Sequence, residues 1–256
     1  MAESVCAGKA NGTAYAHAVP EPDRALAVLR KHFLNRTDRV AFLAPWGVPC
    51  PLRGDNNLNA LLTAHLLGRA AAEVQAPWVT QEGKTGNVAG RFRIGSYSPA
   101  PGDSTTVYGV IDCDGGGRHS AALKDPLGVA LQILVAAERL GLPAYLERSG
   151  GGRGWHVWFF FDGPVPAAKV RRLLFALILT DAVLEDGKTL ADAQANRGIE
   201  VFPKQDKIPA DGTGNMIWLP WWHGAADGGN LFYGMGDNGE LAAYLPEIFQ
   251  EEAFSC

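Results

Sequence analysis

Thr105-Thr106-Val107-Tyr108-Gly109-Val110-Ile111-Asp112-Cys113-Asp114 is the stretch on which the fold turns. Its β-branched and aromatic residues from Thr105 to Ile111 predict a strand, which runs directly into two acids one residue apart. Downstream, Pro126 to Leu140 reads as a helix, with Leu127, Leu131, Leu134, Val135 and Glu138 in register and Gly141 as its stop. Pro143–Arg148 predicts a short strand, Gly150–Gly154 a glycine loop, and Trp155–Phe161 an unbroken aromatic and β-branched strand. Pro166–Leu184 has the pattern of a long amphipathic helix with Arg171 and Arg172 on its polar side, and Ile199–Phe202 that of another strand.

The order from 105 to 202 is therefore β-α-β-β-α-β, an RNA-recognition-like (ferredoxin-like) unit. Such units set their strands in the spatial order 4-1-3-2, each antiparallel to its neighbours. The C-terminal end of the first strand then meets the N-terminal ends of the third and fourth. Upstream, Pro22 opens a helix through Leu26, Leu29 and Phe33, and a second helix fits about 56–73. Phe92–Tyr97 and Met216–Leu219 are further strand candidates. The expected fold class is α/β (α+β), with a flexible leader at 1–19, an N-terminal α/β module at 20–104 and an RNA-recognition-like catalytic module at 105–250.

A chain of 256 residues with 47% hydrophobic and 20% charged residues can bury a full core, and its composition excludes collagen-like and disordered classes. It contains no apolar run of the roughly 18 residues a membrane span needs, and the expectation is a soluble, cytoplasmic protein. The net charge of −4 does not advertise a nucleic-acid binder, so any such contact must be local or helped by a partner. Cys6, Cys50, Cys113 and Cys256 lack paired spacing, and no zinc is expected.

Asp112 and Asp114 share one face of a period-two strand, where their like charges repel unless a hard cation such as Mg²⁺ or Mn²⁺ lies between them. A solvated turn leading into Gly115-Gly116-Gly117 is the plainer alternative. In Ser149-Gly-Gly-Gly-Arg153-Gly-Trp-His156, the glycines allow amides to approach an anion, while Arg153 and His156 add donors for phosphate oxygens. A hairpin turn and a core imidazole are the competing readings. Glu200, beside Ile199, Val201 and Phe202, is costly in a strand unless paired or metal-bound, or else lies on an exposed face. Lys204 and Lys207 read alone as solvated loop charges. Taken together, the topology gathers Asp112, Asp114, Glu200, Arg153, His156 and Lys204 at one sheet edge, which fits a two-metal phosphoryl-transfer site.

These motifs, in this order, resemble those of the archaeo-eukaryotic primase superfamily, and most closely the primase–polymerases of CRISPR-associated and mobile-element conflict systems. His65-Leu-Leu-Gly68, Ile94-Gly-Ser-Tyr97 and Gly214-Asn-Met-Ile-Trp-Leu-Pro220 extend the resemblance over roughly residues 60–220. It implies template-directed nucleotidyl transfer with two divalent cations, Mg²⁺ or Mn²⁺, held by Asp112, Asp114 and Glu200. It also implies that His156, Ser149, Arg153 and Lys204 contact the nucleoside triphosphate and that Tyr97 abuts the sugar. The implied partners are nucleoside triphosphates, a single-stranded DNA template with its primer, and proteins of a CRISPR or mobile-element system, with no membrane. Relatives that prime de novo carry a helical domain or zinc module, so primer extension is expected here ahead of priming. Two other functions compete: a metal-dependent nuclease or phosphodiesterase using the same acids, and a catalytically idle nucleic-acid-binding module.

Overall fold

The structure, a computed structural model, describes residues 18–43, 47–53, 58–68, 77–79, 85–87, 93–116, 122–179, 181–189, 198–225 and 230–250. Helix α1 (Pro22–Val28) begins on its proline and passes into a π-helical turn at Leu29–Phe33. Strands β1 (Arg39–Leu43) and β2 (Pro49–Arg53), helix α2 (Leu58–Leu67), strands β3 (Pro77–Val79) and β4 (Thr85–Asn87), and β5 (Ile94–Ser98) follow. Next come β6 (Thr105–Cys113), α3 (Pro126–Arg139), β7 (Tyr145–Arg148), β8 (Trp155–Pro166), α4 (Ala167–Leu177) and β9 (Ile199–Phe202). Strands β10 (Asn215–Trp218), β11 (Phe232–Met235) and β12 (Leu241–Tyr244) complete the set, with a 3-10 turn at Glu247–Phe249.

One sheet has the order β10-β5-β1-β2, a second β12-β11-β7-β8-β6-β9, and β3 pairs only with β4. The second sheet contains the expected 4-1-3-2 arrangement as β9-β6-β8-β7, antiparallel throughout. Strand β6 extends past Ile111 to Cys113, which places Asp112 inside the ladder. Helix α4 ends at Leu177, short of the expected Leu184. Ile178 turns extended, and Leu184 instead bridges Leu123, where it is fully buried. The apolar period therefore continues past the helix because another partner takes up those side chains. Of the helix expected over 56–73, the described part is α2, and the remainder lies partly outside the described residues. Strand β10, far along the chain, pairs with β5 and closes the edge of the first sheet.

Alternation divides β6 between two cores. Ile111 and Cys113 face α3 and α4, packing with Ile133, Ala137, Val157, Leu174 and Val201. Tyr108 and Val110 face the other way and join Trp158, Phe202, Phe232, Phe33, Phe42 and Leu61 in the core between the sheets. Phe33 lies edge-on to Trp158 and Phe160, both at 4.9 Å between ring centroids. Each such side chain, once buried, stabilises the fold by about 1.5–3 kcal/mol. Among the described residues no helix is long and apolar enough to cross a membrane.

Candidate active site

Strand register sets four polar side chains in one row across the second sheet. Glu147 on β7 pairs with His156 on β8, His156 with Asp112 on β6, and Asp112 with Glu200 on β9. One rung inward the row is Tyr145, Trp158, Val110 and Phe202. Those four belong to the core between the sheets or pack against it. With a side-chain period of two, the polar row faces the same way, so it lies where the aromatic core opens.

Glu147 is fully buried. Its Oε2 accepts from His156 Nδ1 at 2.8 Å and from Trp158 Nε1 at 2.5 Å, and its Oε1 from Asn230 Nδ2 at 2.6 Å. His156 Nε2 is turned toward Asp112 Oδ1, 3.6 Å away. Burial disfavours a charge on His156, but the Glu147 and Asp112 carboxylates outweigh it and raise its pKa. Burial also pushes the Asp112 carboxyl up to about 6. The charges of Asp114, Glu200 and Glu147 add to that, while His156 opposes it. Asp114 sits just past the strand end, where its Oδ1 accepts from the Gly116 amide at 3.0 Å and its own amide donates to Gly198 O at 2.8 Å. Glu200 Oε1 is paired with Lys204 Nζ at 2.6 Å, and that ammonium also lies over the Phe202 ring.

The glycine loop closes as a hairpin. Ser149 N donates to Gly154 O, Gly152 N to Ser149 O, and Gly154 N to Ser149 Oγ at 3.1 Å. The amides of Gly150, Gly151 and Arg153 keep no acceptor among the described residues. The Arg153 side chain is exposed. A Cβ on Gly115 would stand 1.9 Å from Arg153 O, so the loop and the end of β6 are in direct contact. Tyr97 is not brought to the row. It is buried on β5 opposite Met216, burial raises its hydroxyl pKa, and the charged groups in whose field it lies are Cys50, Arg36 and Arg39.

Sequence reasoning missed Glu147, Arg93 and Asn230. Glu147 interrupts the apolar Tyr145-Leu146 strand much as Glu200 interrupts its own, and that signal could have found it. Arg93 precedes β5, and its guanidinium carbon lies 4.7 Å from the Trp218 ring centre and 4.9 Å from that of Trp222. Its Nη2 stands 2.5 Å from where a Cβ on Gly150 would be, and its buried Nε has no hydrogen-bond partner among the described residues. Burial lowers its pKa to about 10, against the pull of Glu147 and Asp112. A half-buried cation with unused donors beside a glycine loop is suited to receive an anion. His65 has a different task. Its Nδ1 accepts from the Ile94 amide at 3.0 Å and its Nε2 donates to Pro220 O at 2.8 Å, which fixes a neutral ring tying α2 to β5.

The donors Asp112, Asp114 and Glu200 are all carboxylates, which suits a hard divalent cation. Burial is the main reason the Asp112 pKa is raised, with the charges of Asp114 and Glu200 adding to it, and a bound cation would offset both. Among the described residues no three His, Cys, Asp or Glu side chains already stand in chelating geometry. Glu200 is engaged by Lys204, so a cation would have to displace that ammonium.

A family model of the archaeo-eukaryotic primase domain of the TOTE conflict system matches residues 70–238, more than half of the chain. The chain belongs to that family. The matched span runs from before β3 through β11 and includes every residue of the polar row, Arg93 and Asn230. A primase domain of this kind is of the nucleotidyltransferase type and acts on nucleotides and nucleic acid. Among curated proteins the chain finds no match.

Proposed function

We propose that this primase domain is a template-directed DNA primase–polymerase that adds nucleoside triphosphates to the 3′-hydroxyl of a primer on single-stranded DNA. The observation that carries the reading is the polar row Glu147–His156–Asp112–Glu200, with repelling acids at one end and Arg93 alongside, its buried Nε without a partner among the described residues. Acids that repel one another call for cations, and idle donors call for an anion. A nucleoside triphosphate with divalent cations is both.

Asp112, Asp114 and Glu200 would hold Mg²⁺ or Mn²⁺. When bound, such cations stabilise charge on the α-phosphate and favour the ionised 3′-hydroxyl. On the phosphate side, His156 Nε2, the Arg93 guanidinium, the amides of Gly150 and Gly151, Arg153 and Lys204 would supply donors, with Ser149 shaping the loop. Nucleotide charge in turn compensates Arg93, whose buried Nε has no hydrogen-bond partner among the described residues. In the free protein the Lys204 ammonium offsets Glu200. The idle-binding alternative is weakened because the sheet face that would stack bases carries Trp158 and Phe202, both buried in the core between the sheets. Partner proteins of a conflict system and a cytoplasmic site of action belong to the same proposal.

The test is nucleotide incorporation on single-stranded DNA, with and without an annealed primer, in Mg²⁺ or Mn²⁺, beside an Asp112→Ala/Asp114→Ala control. Extension that vanishes in the control supports the proposal, and products without primer add priming. Cleavage of the DNA with no strand growth would establish the nuclease instead.

A further inference from the structure

Two donors reach the site from different parts of the fold, His156 from β8 and Arg93 from just before β5, and one buried polar pair connects them. Glu147 binds the His156 ring directly at 2.8 Å and holds Asn230 Nδ2 at 2.6 Å. Asn230 is 1% exposed and sits at φ 64°, a left-handed conformation that asparagine tolerates better than most residues. Its Oδ1 accepts from the Trp222 amide at 2.8 Å, its carbonyl from the Trp221 amide at 2.8 Å, and its own amide donates to Arg148 O at 2.6 Å. Trp221 is held at φ 62°, which is strained for a bulky residue and persists only where surrounding bonds enforce it. Trp222, next in the chain, is one of the two indoles between which Arg93 lies.

We infer that Glu147 and Asn230 form a positioning device that orients His156 directly and sets the Trp222 shelf beneath Arg93, so that both donors face the triphosphate together. What the donors grip rests on the nucleotidyltransferase reading; the coupling itself is a property of the hydrogen bonds. Glu147 accepts the Nδ1 proton of His156, which directs Nε2 to the open end of the row. Exchanging its carboxylate for an amide leaves an acceptor for His156 but sets donor against donor at Asn230. Exchanging Asn230 for glycine keeps the left-handed backbone and deletes only the link to Glu147 and the Trp222 amide bond. Asn230→Gly therefore cuts the Trp222 arm alone, while Glu147→Gln breaks the Asn230 link and also strips the charge that faces the His156 ring.

The experiment records side-chain ¹⁵N spectra of the full chain, wild type, Glu147→Gln and Asn230→Gly, at one fixed pH, with thermal melts to confirm folding. In the wild type the Arg93 Nε–H signal should be displaced upfield by the two indoles against which it lies, and His156 should show a hydrogen-bonded Nδ1 proton. Asn230→Gly should collapse the Arg93 displacement and leave the His156 ring signals in place, whereas Glu147→Gln should move both. With Mg²⁺ and dATP or ATP as probes, Asn230→Gly should raise the nucleotide KM roughly tenfold with a smaller change in kcat. A folded Asn230→Gly protein with unchanged Arg93 signal, or a Glu147→Gln protein with unchanged His156 signals, would overturn the inference. A wild type that binds neither nucleotide would contradict the nucleotidyltransferase reading, and the spectra would still support or overturn the coupling.

Discussion

Asp112 carries the conflict at the centre of the site. Its pKa near 6 means that folding holds a proton which the unfolded chain releases near 3.8. The folded state therefore binds more protons between those values, and stability falls as pH rises through that window. His156 acts in the same direction: its raised pKa gives stability that is complete below about 6.5 and lost as pH climbs through the folded value. The metal-free protein should accordingly melt at a lower temperature near pH 8 than near pH 6, and Mn²⁺ should raise the melting temperature more at the higher pH. Asp112→Asn removes a charge whose burial costs on the order of 2–3 kcal/mol at neutral pH. Without metal at pH 8 that variant should melt higher than wild type, lose most of its response to Mn²⁺, and extend no primer. Melting curves with and without Mn²⁺ check all three, and a variant destabilised in metal-free buffer would contradict the assignment of strain to Asp112.

At the scale of elements, the site depends on how closely β6 meets its neighbours, and two glycines mark the tightest places. A Cβ on Gly109 would lie 2.8 Å from Val170 Cγ1 and 3.1 Å from Leu174 Cδ1, both flexible side chains of α4. Gly109→Ala should cost about 1–3 kcal/mol in a denaturant titration while leaving nucleotide binding close to wild type. On Gly115 the Cβ would meet Arg153 backbone at 1.9 Å, which only a shift of the glycine loop away from Asp114 can relieve. Gly115→Ala should therefore weaken incorporation at least tenfold in a protein that still folds, as initial rates beside the same titration would show. The four strands of the β-α-β-β-α-β unit were legible because strand period and turn residues are local signals, and topology then placed Asp112, His156 and Glu200 side by side. The end of α4 was not, since Leu184 keeps an apolar period while bridging Leu123. Arg93 and Asn230 were hidden for a related reason: their roles come from partners far away in the chain, such as Trp222 for Arg93 and Glu147 for Asn230. Tyr97 was expected to abut the sugar on resemblance alone; the structure buries it on β5 opposite Met216, in the field of Arg36 and Arg39.

Across the whole molecule, the two sheets share one aromatic core, and the site is the place where that core opens to polar groups. Phe33, from the turn after α1, touches Trp158, Phe160, Trp221 and Phe249 and so connects the N-terminal helix to the floor beneath the polar row. Phe33→Leu should lower stability by about 1–3 kcal/mol in a single cooperative transition, because β10 ties the far end of the chain into the first sheet. Two separate transitions by fluorescence and far-UV dichroism would instead mean that the sheets fold independently. In the proposed function this mouth joins nucleotides rather than cleaving chains. The most direct test is to follow one primer–template with a single matching nucleoside triphosphate in Mn²⁺, measuring primer length and pyrophosphate together. A polymerase should release one pyrophosphate for each nucleotide added, with neither product in Asp112→Ala/Asp114→Ala. Shortened DNA with no pyrophosphate, or pyrophosphate-free triphosphate hydrolysis without extension, would contradict it.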